Sequence, residues 1–238
     1  MNNGFFITGT DTGVGKTVVA ATLAYALHQR HISFSYIKPV ESGISSRRHL
    51  ENDSDAALVK RAGTLPESLK EIVPFTFKEP LAPLLAARRA GIEITKESLI
   101  DSINDRINPS RLTIIEGAGG LLAPLCNNFL ILDLIRELRF PTLLVCRTSL
   151  GSINHTLLTL DRLRREGINP IGIIANHVTA PGIAEEEFIA QLTEFDPVTI
   201  LGESPYMTNL QPNFSDWQKL TPHIDIETLL KRTNFTKP

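Results

Sequence analysis

The stretch with the clearest chemical meaning is residues 9–17, which read GTDTGVGKT. The apolar residues 5–7 before it are typical of a buried strand, and residues 18–27 after it are typical of a helix. A glycine-rich loop between a strand and a helix directs backbone N–H groups and the positive helix end into one hollow, which suits a polyphosphate. In such a loop, Lys16 reaches the β- and γ-phosphates and the Thr17 hydroxyl holds Mg²⁺.

The loop differs by one residue from the common phosphate-loop spacing. Five residues rather than four separate Gly9 from Gly15, so the pattern G-x-x-x-x-G-K-[ST] matches only from its second half onward. A glycine-rich turn before a helix with a solvent-facing lysine is the alternative. The coincidence of strand, loop and helix favours nucleotide binding. The predicted contacts are Gly13, Val14, Gly15, Lys16, Thr17 and Val18.

Composition limits the class of protein. With 238 residues, 42% of them hydrophobic, we expect one domain over residues 1–238 with a sizeable core. A net charge of −2 and a pI near 6.3 provide no basic field for a nucleic-acid backbone. No apolar run approaches the roughly eighteen residues that span a bilayer, and a strand begins too early for a signal peptide. We expect a soluble, cytoplasmic protein with a small-molecule ligand, no nucleic acid and no membrane partner.

Strands and helices alternate along the chain. This alternation predicts an α/β, P-loop NTPase-like fold with a mostly parallel central sheet and helices on both faces. Residues 44–53 are polar and charged and are expected to be a mobile loop. Further strands are expected at residues 33–38, 111–115, 141–146, 170–176 and 198–201, and residues 74–83 are expected to be a strand that runs into a proline-punctuated turn. Further helices are expected at residues 54–62, 84–90, 95–107, 129–138 and 183–194, with one ending near residue 166 and an amphipathic stretch at 224–230.

Two charged residues follow the first helix. Lys38 ends the second strand just before Pro39, at the sheet edge where open α/β sheets bind ligands. It is either a second phosphate-side cation beside Lys16 or a surface lysine at a strand end. Asp55 stands in the first turn of a helix with Ser54 as a plausible N-cap, where an acidic residue complements the helix dipole. From these residues alone, the dipole interpretation of Asp55 is favoured.

Glu116 directly follows another apolar strand. In a nucleotide-binding fold, an acidic residue in this position usually orients Mg²⁺ or its water, and the glycines after it allow close approach of a phosphate. A simple turn is the alternative, and the functional interpretation is favoured. The residues after it with this predicted role are Gly117, Ala118 and Gly119.

Two later polar segments are also candidates. Residues 148–155 open a helix with small polar side chains, which suits a carboxylate or phosphate but is equally typical of ordinary capping. His155 within it is interpreted as a packed or surface histidine. Asn176 ends a strand with an amide that can pair with a base edge. Cys126 and Cys146 do not form a metal-ligand spacing, and Cys146 is expected to be buried and inert.

Taken together, these motifs resemble the dethiobiotin synthetase family over nearly the whole chain. The extra loop residue is itself that family's pattern. The matching segments are GTDTGVGKT at 9–17, KPVESG at 38–43, SDA at 54–56, EGAGG at 116–120, LGSINH at 150–155, ANHVT at 175–179 and GESP at 202–205.

The resemblance implies an ATP-dependent cyclo-ligase. In that reaction 7,8-diaminopelargonic acid captures CO₂ as a carbamate, ATP converts the carbamate to a carbamic-phosphoric anhydride, and the second amine closes the ring of dethiobiotin. The resemblance assigns Mg²⁺ to Thr17, Asp55 and Glu116. It assigns catalysis by charge neutralisation to Lys16 and Lys38.

The resemblance also implies binding residues and a homodimer with its substrate site at the subunit interface. The implied substrate contacts are Thr12, Ser42, Gly151 and Asn154. The implied adenine-side contacts are Asn176, His177, Pro205, Tyr206 and Met207. The chain departs from the family at Gly13, where some members carry a side chain that reaches the nucleotide, and after Met207, where the base site does not match.

Two other classes share the loop. Switch proteins of the partition and division-site ATPase kind carry a lysine at the position of Asp11, and many end in a basic amphipathic helix, whereas residues 225–232 here are short and mixed in charge. An ATP-dependent amidating enzyme of corrinoid synthesis needs a glutaminase domain with a catalytic cysteine, for which this chain has no room.

Overall fold

The computed structural model describes residues 3–180, 182–208, 214–233 and 235. Within them, ten strands form one large sheet and two small ones. The strands are β1 Gly4–Gly9, β2 Phe34–Ile37, β3 Val40–Ser42, β4 Phe75–Phe77, β5 Leu112–Glu116, β6 Pro124–Cys126, β7 Phe129–Leu130, β8 Thr142–Arg147, β9 Gly172–Asn176 and β10 Ile200–Ser204. The central sheet has six strands in the order β10-β9-β8-β1-β5-β2, and all of its pairs are parallel.

Helices connect these strands. They are α1 Lys16–Gln29, α2 Arg47–Asn52, α3 Asp55–Gly63, α4 Leu69–Ile72, α5 Pro83–Arg89, α6 Lys96–Asn104, α7 Ile131–Leu138, α8 Ser152–Arg165, α9 Ile183–Glu186, α10 Phe188–Phe195, α11 Phe214–Leu220 and α12 Ile226–Arg232. Within the described ranges, every helix is too short or too polar to span a bilayer.

The central strand β1 shows why helices cover both faces. Its side chains alternate, so Phe5 and Ile7 pack into a core with α1 and α3, while Phe6 packs on the other side with α6 and α7. All three side chains are 0% exposed. A parallel strand buried on both faces needs a continuous apolar run, and each such side chain contributes about 1.5–3 kcal/mol by leaving water. The predicted fold class is therefore confirmed.

The register of the sheet brings distant loops to one edge. Ile7 pairs with Glu116 on one side of β1, and Gly9 pairs with Val145 on the other. Because the strands are parallel, the segments after β1, β5, β8 and β9 all begin at the carboxyl edge of the sheet. The glycine-rich loop lies at the centre of this edge.

Local structure differs from expectation at several places. Residues 44–53 are not only a loop, because Ser46 caps α2 by accepting a hydrogen bond from the N–H of His49. The hairpin of β6 and β7 was not predicted. The strand after Pro74 is confirmed as β4, but it pairs with β3 outside the central sheet, since Pro39 interrupts the chain between β2 and β3. Residues 183–194 form two short helices rather than one.

Candidate active site

The loop between β1 and α1 has the conformation that its glycines allow. Gly13 and Gly15 have φ values of 73° and 92°, in the left-handed region that favours glycine. A Cβ atom on Gly15 would lie 2.0 Å from Asn176 Nδ2. That same amide donates to the carbonyl of Val14 at 3.0 Å, so β9 holds the loop in place. Residues 15–18, at the start of α1, line the cavity described below.

Lys16 is buried, with 7% of its surface exposed, which excludes the alternative of a solvent-facing lysine. Its Nζ donates to the backbone carbonyl of Asp11 at 2.9 Å. Burial lowers the pKa of Lys16 to about 8, although the carboxylate of Glu116 acts in the opposite direction. The side chain is thus folded against its own loop, and its charge lacks a directly bonded carboxylate among the described contacts.

Lys38 lies between two carboxylates. Its Nζ is 2.6 Å from Glu116 Oε1 and 2.6 Å from Asp55 Oδ2. Lys38 is 4% exposed and Glu116 is 0% exposed, which excludes the surface-lysine alternative. Burial alone would lower the pKa of Lys38, but the negative charges of Glu116 and Asp55 outweigh it and raise that pKa well above its usual range.

Asp55 belongs both to the start of α3 and to the ion pair with Lys38. As predicted, it stands in the first turn of α3, which Ser54 caps through a hydrogen bond of 3.0 Å from the N–H of Ala57. The Asp55 carboxylate also pairs with Lys38, and this charge, with the Thr17 hydroxyl, lowers the pKa of Asp55 against the opposing effect of burial. The predicted place of Asp55 in the first turn of α3 is therefore confirmed, and its pairing with Lys38 is a contact that the dipole interpretation did not include.

These groups share one cavity of about 410 Å³. Most of the predicted phosphate, metal and substrate residues line it. Those residues are Thr12, Gly13, Gly15, Lys16, Thr17, Val18, Lys38, Ser42, Asp55, Glu116, Gly117, Ala118 and Gly119.

The oxygen atoms in this cavity suit Mg²⁺. Thr17 Oγ1 donates to Glu116 Oε1 at 2.8 Å, and Lys38 already bridges Glu116 and Asp55, so the two carboxylates are close enough to share a cation. Within the described ranges, no three His, Cys, Asp or Glu side chains form a metal-binding group. Two carboxylates and a hydroxyl fit a Mg²⁺ that keeps water and phosphate oxygens as its other ligands.

The predicted adenine-side residues lie at the ends of β9 and β10. Asn176 is 5% exposed, and the nitrogen of its side-chain amide donates to the carbonyl of Val14. His177 is held on both ring nitrogens, since Nε2 lies 2.7 Å from Glu203 Oε1 and Nδ1 lies 3.2 Å from Thr148 Oγ1. Pro205, Tyr206 and Met207 follow β10 directly. The unmatched segment after Met207 falls largely on residues 209–213, outside the described residues.

Gly151 and Asn154 are not among the residues that line the cavity around Lys16. Gly151 is the N-cap of α8 with a φ of 90°, and Asn154 is exposed in the first turn. Ser152 between them is 1% exposed, and its hydroxyl has no hydrogen-bond partner within the described part of the chain. His155 is half-buried, in agreement with its interpretation as a packed or surface residue.

Sequence reasoning missed two side chains of the site. Tyr36 is 2% exposed and its hydroxyl donates to Glu116 Oε2 at 2.8 Å. Burial, then the charge of Glu116, raises the pKa of Tyr36 well above its usual range, so the hydroxyl keeps its proton. Glu41 is 5% exposed and accepts the N–H of Asp55 at 2.6 Å. Tyr36 could have been found from the sequence, because side chains alternate along a strand and residues 36 and 38 therefore lie on one side of it.

Comparison with known proteins identifies the family. The family model described as an AAA domain matches residues 3–213. The ATP-dependent dethiobiotin synthetase BioD of Bacillus licheniformis is 36% identical over 232 residues, 96% of each chain. The protein of the same name from Methanococcus vannielii is 38% identical over 83% of this chain and 90% of its own.

Solved structures show the same fold in more distant proteins. The MinC:MinD cell division complex of Aquifex aeolicus matches with a TM-score of 0.55 and 14% identity over 99% of this chain and 97% of that one. A ParA family ATPase from Chlorobium tepidum matches with a TM-score of 0.54 and 19% identity over 98% of each chain. At such low identity the likeness concerns the fold alone. The sequence matches described above, at 36–38% identity over most of both chains, show more than the fold and confirm the resemblance. This chain belongs to the family of ATP-dependent dethiobiotin synthetases.

Proposed function

We propose that this protein uses ATP, Mg²⁺ and CO₂ to convert 7,8-diaminopelargonic acid to dethiobiotin. Membership of the family makes it an ATP-dependent ligase of biotin biosynthesis. The observation that carries the finer proposal is the cluster of Lys38, Glu116, Asp55 and Thr17 beside the glycine-rich loop in one cavity. Phosphoryl transfer needs fixed charges around the migrating group rather than a nucleophilic side chain, and this cluster supplies them.

The loop and the start of α1 bind the triphosphate. Residues 13 and 15–18 line the cavity, so their backbone N–H groups and the positive helix end are available to phosphate oxygens. Lys16 leaves the carbonyl of Asp11 to reach the β- and γ-phosphates. Thr17, Asp55 and Glu116 hold Mg²⁺, which neutralises charge on the phosphate oxygens when it is bound. Lys38 is the cation nearest to the metal-binding carboxylates, and it places its charge where the carbamate receives the phosphoryl group.

The proposed reaction proceeds in three balanced steps. One amine of the diamine forms an N–C bond to CO₂ and loses a proton. The carbamate oxygen then takes the γ-phosphoryl group, and ADP leaves. The second amine attacks the carbamoyl carbon and loses a proton, the bond from that carbon to the phosphate oxygen breaks, phosphate leaves, and the ring closes. Thr12 and Ser42, which line the cavity, are proposed to contact the diamine.

The remaining roles rest on the family. Asn176, His177 and the segment 205–207 are proposed to contact adenine. Gly151 and Asn154 are proposed to bind the substrate carboxylate from the neighbouring subunit of a homodimer. The Ser152 hydroxyl beside them, which is buried and has no partner among the described residues, supports a polar ligand there. We also propose that residues 1–238 form one domain and that the protein works in the cytoplasm.

Phosphate release tests the proposed reaction. The purified protein is mixed with ATP, Mg²⁺ and bicarbonate, with and without 7,8-diaminopelargonic acid, and both phosphate and the ureido product are measured. We expect release to depend on the diamine and to match product one to one. Phosphate release that is independent of the diamine, with no ureido product, would refute the proposed reaction.

A further inference from the structure

The Glu116 carboxylate is held differently at its two oxygens. Oε1 accepts hydrogen bonds from Thr17 Oγ1 at 2.8 Å and from Lys38 Nζ at 2.6 Å, both of which line the cavity. Oε2 accepts a bond from the Tyr36 hydroxyl at 2.8 Å. Tyr36 itself is not among the residues that line this cavity. One oxygen thus belongs to the cavity and the other to the interior of the sheet.

Tyr36 is well placed to hold that second oxygen. It lies on β2, directly opposite Ile114 of β5, two residues before Glu116 on the neighbouring strand. Its ring is 2% exposed and is packed in the core formed by β1, α1 and α3, so the hydroxyl has little freedom to move. The donor therefore comes from a rigid strand rather than from a loop.

We propose that Tyr36 is a positioning residue that orients the Glu116 carboxylate for Mg²⁺–nucleotide. With Oε2 tied to Tyr36, Glu116 cannot rotate both oxygens away from the cavity, and Oε1 stays directed at Thr17 and at the metal. Hydrogen-bond partners behind a metal ligand typically change metal affinity or activity by about 10- to 100-fold when they are removed. This inference rests on the proposed role of Glu116 in binding Mg²⁺.

The test compares Tyr36→Phe with Tyr25→Phe. Both substitutions remove one hydroxyl from a buried ring, but Tyr25 lies on α1, where it packs edge-on against Phe214 at a centroid distance of 5.8 Å. Mg²⁺ is titrated calorimetrically into each protein in the presence of a non-hydrolysable ATP analogue, without the diamine. We expect Tyr36→Phe to weaken Mg²⁺ binding roughly tenfold and Tyr25→Phe to leave it within about twofold of wild type.

A double-mutant cycle separates positioning from general loss of structure. If Tyr36 acts through Glu116, then Tyr36→Phe added to Glu116→Gln has little further effect on Mg²⁺ binding, and the two effects are not additive. Additive effects, or unchanged Mg²⁺ binding in Tyr36→Phe, would overturn the proposal. If Tyr36→Phe does not fold, the same Mg²⁺ titration is carried out on Tyr36→Leu, with Tyr25→Leu as its control. Failure of both Tyr36 variants to fold would overturn the proposal and leave Tyr36 with a role in the core alone.

The titration contains no diamine, so it is independent of the proposed reaction. A wild-type protein that binds Mg²⁺–nucleotide but forms no ureido product would refute that reaction and would still allow the Tyr36 comparison. In turnover assays, we expect Tyr36→Phe to raise the half-saturating Mg²⁺ concentration while the KM for the diamine changes less than twofold.

Discussion

Replacing Lys38 with Met removes the cation that two carboxylates share. The Glu116 side chain is 0% exposed, so water cannot take over the role of Lys38 there, and removing one partner of such a buried pair typically costs about 3–5 kcal/mol. The Asp55 side chain is 46% exposed, so that half of the cluster adds at most about 1 kcal/mol. We expect Lys38→Met to lower the free energy of unfolding by about 3–5 kcal/mol, or the Tm by roughly 6–20 °C.

Urea unfolding without nucleotide or Mg²⁺ measures this change. Trp217, which is the one tryptophan of the chain and is 1% exposed, reports loss of the core by fluorescence. Lys16→Met is the matched control, because Lys16 is also buried but, among the described contacts, bonds a backbone carbonyl rather than a carboxylate. Burial lowers the pKa of Lys16 to about 8, which agrees with a poorly compensated charge. We expect Lys16→Met to change the free energy of unfolding by less than about 1 kcal/mol.

A second substitution tests the cause. In Lys38→Met combined with Glu116→Gln, the buried charge is gone, so much of the lost stability should return. The reasoning would be refuted if Lys38→Met cost less than about 1 kcal/mol, or if Glu116→Gln failed to recover stability in the double variant.

Three further outcomes are expected. Burial lowers the pKa of Lys16 to about 8 without ligand, and a bound triphosphate should raise it again, so nucleotide binding near pH 9 should take up protons. The observed binding enthalpy should then vary between buffers of different ionisation enthalpy, and an enthalpy that is the same in all of them would contradict this. Burial raises the pKa of Glu41 to about 7 in the folded protein. As the pH rises from about 4.5 to 7, Glu41 therefore loses its proton in the unfolded chain before it does so in the folded one, and the free energy of unfolding falls by at most roughly 3 kcal/mol. In urea unfolding, Glu41→Gln should flatten this decline, whereas Glu79→Gln, at an exposed position, should not. Asn154→Ala should raise the KM for the diamine more than that for ATP, and mixing it with inactive Lys16→Ala should restore activity through heterodimers; no recovery in well-mixed heterodimers would place the whole site within one chain.

The Glu41 prediction has a direct structural basis. The Glu41 carboxylate accepts N–H groups at the start of α3, at 2.6 Å from Asp55 and 3.4 Å from Ala56. These bonds and the charge of Lys38 lower its pKa, but burial and the neighbouring Asp55 carboxylate raise it more. A neutral glutamine keeps an acceptor for Asp55 and removes the charge, which is why the pH dependence rather than the fold should change.

The amino-acid sequence by itself determined the local parts of this protein. The apolar run of β1, the glycines of the loop and the start of α1 are neighbours in the chain, so their patterns predict strand, turn and helix without reference to the rest of the fold. The same holds for the α/β class, because alternating strand and helix patterns leave few arrangements other than a parallel sheet covered on both faces. Ser54 as the cap of α3 is likewise a local feature.

Tertiary structure alone decided how the charges meet. Lys38 is separated from Asp55 by 17 positions and from Glu116 by 78, so no local pattern indicates that one Nζ bridges both. The pairing of β2 with β5 brings Tyr36 and Lys38 beside Glu116, and the packing of α3 adds Asp55. Burial likewise follows from the whole fold, which alone shows that Lys16 is buried rather than solvent-facing. The electrostatic energy of these charges depends on the distances between them and on their exposure to water. Both quantities are fixed only when the strands pair in one register, so they cannot be read from the order of residues.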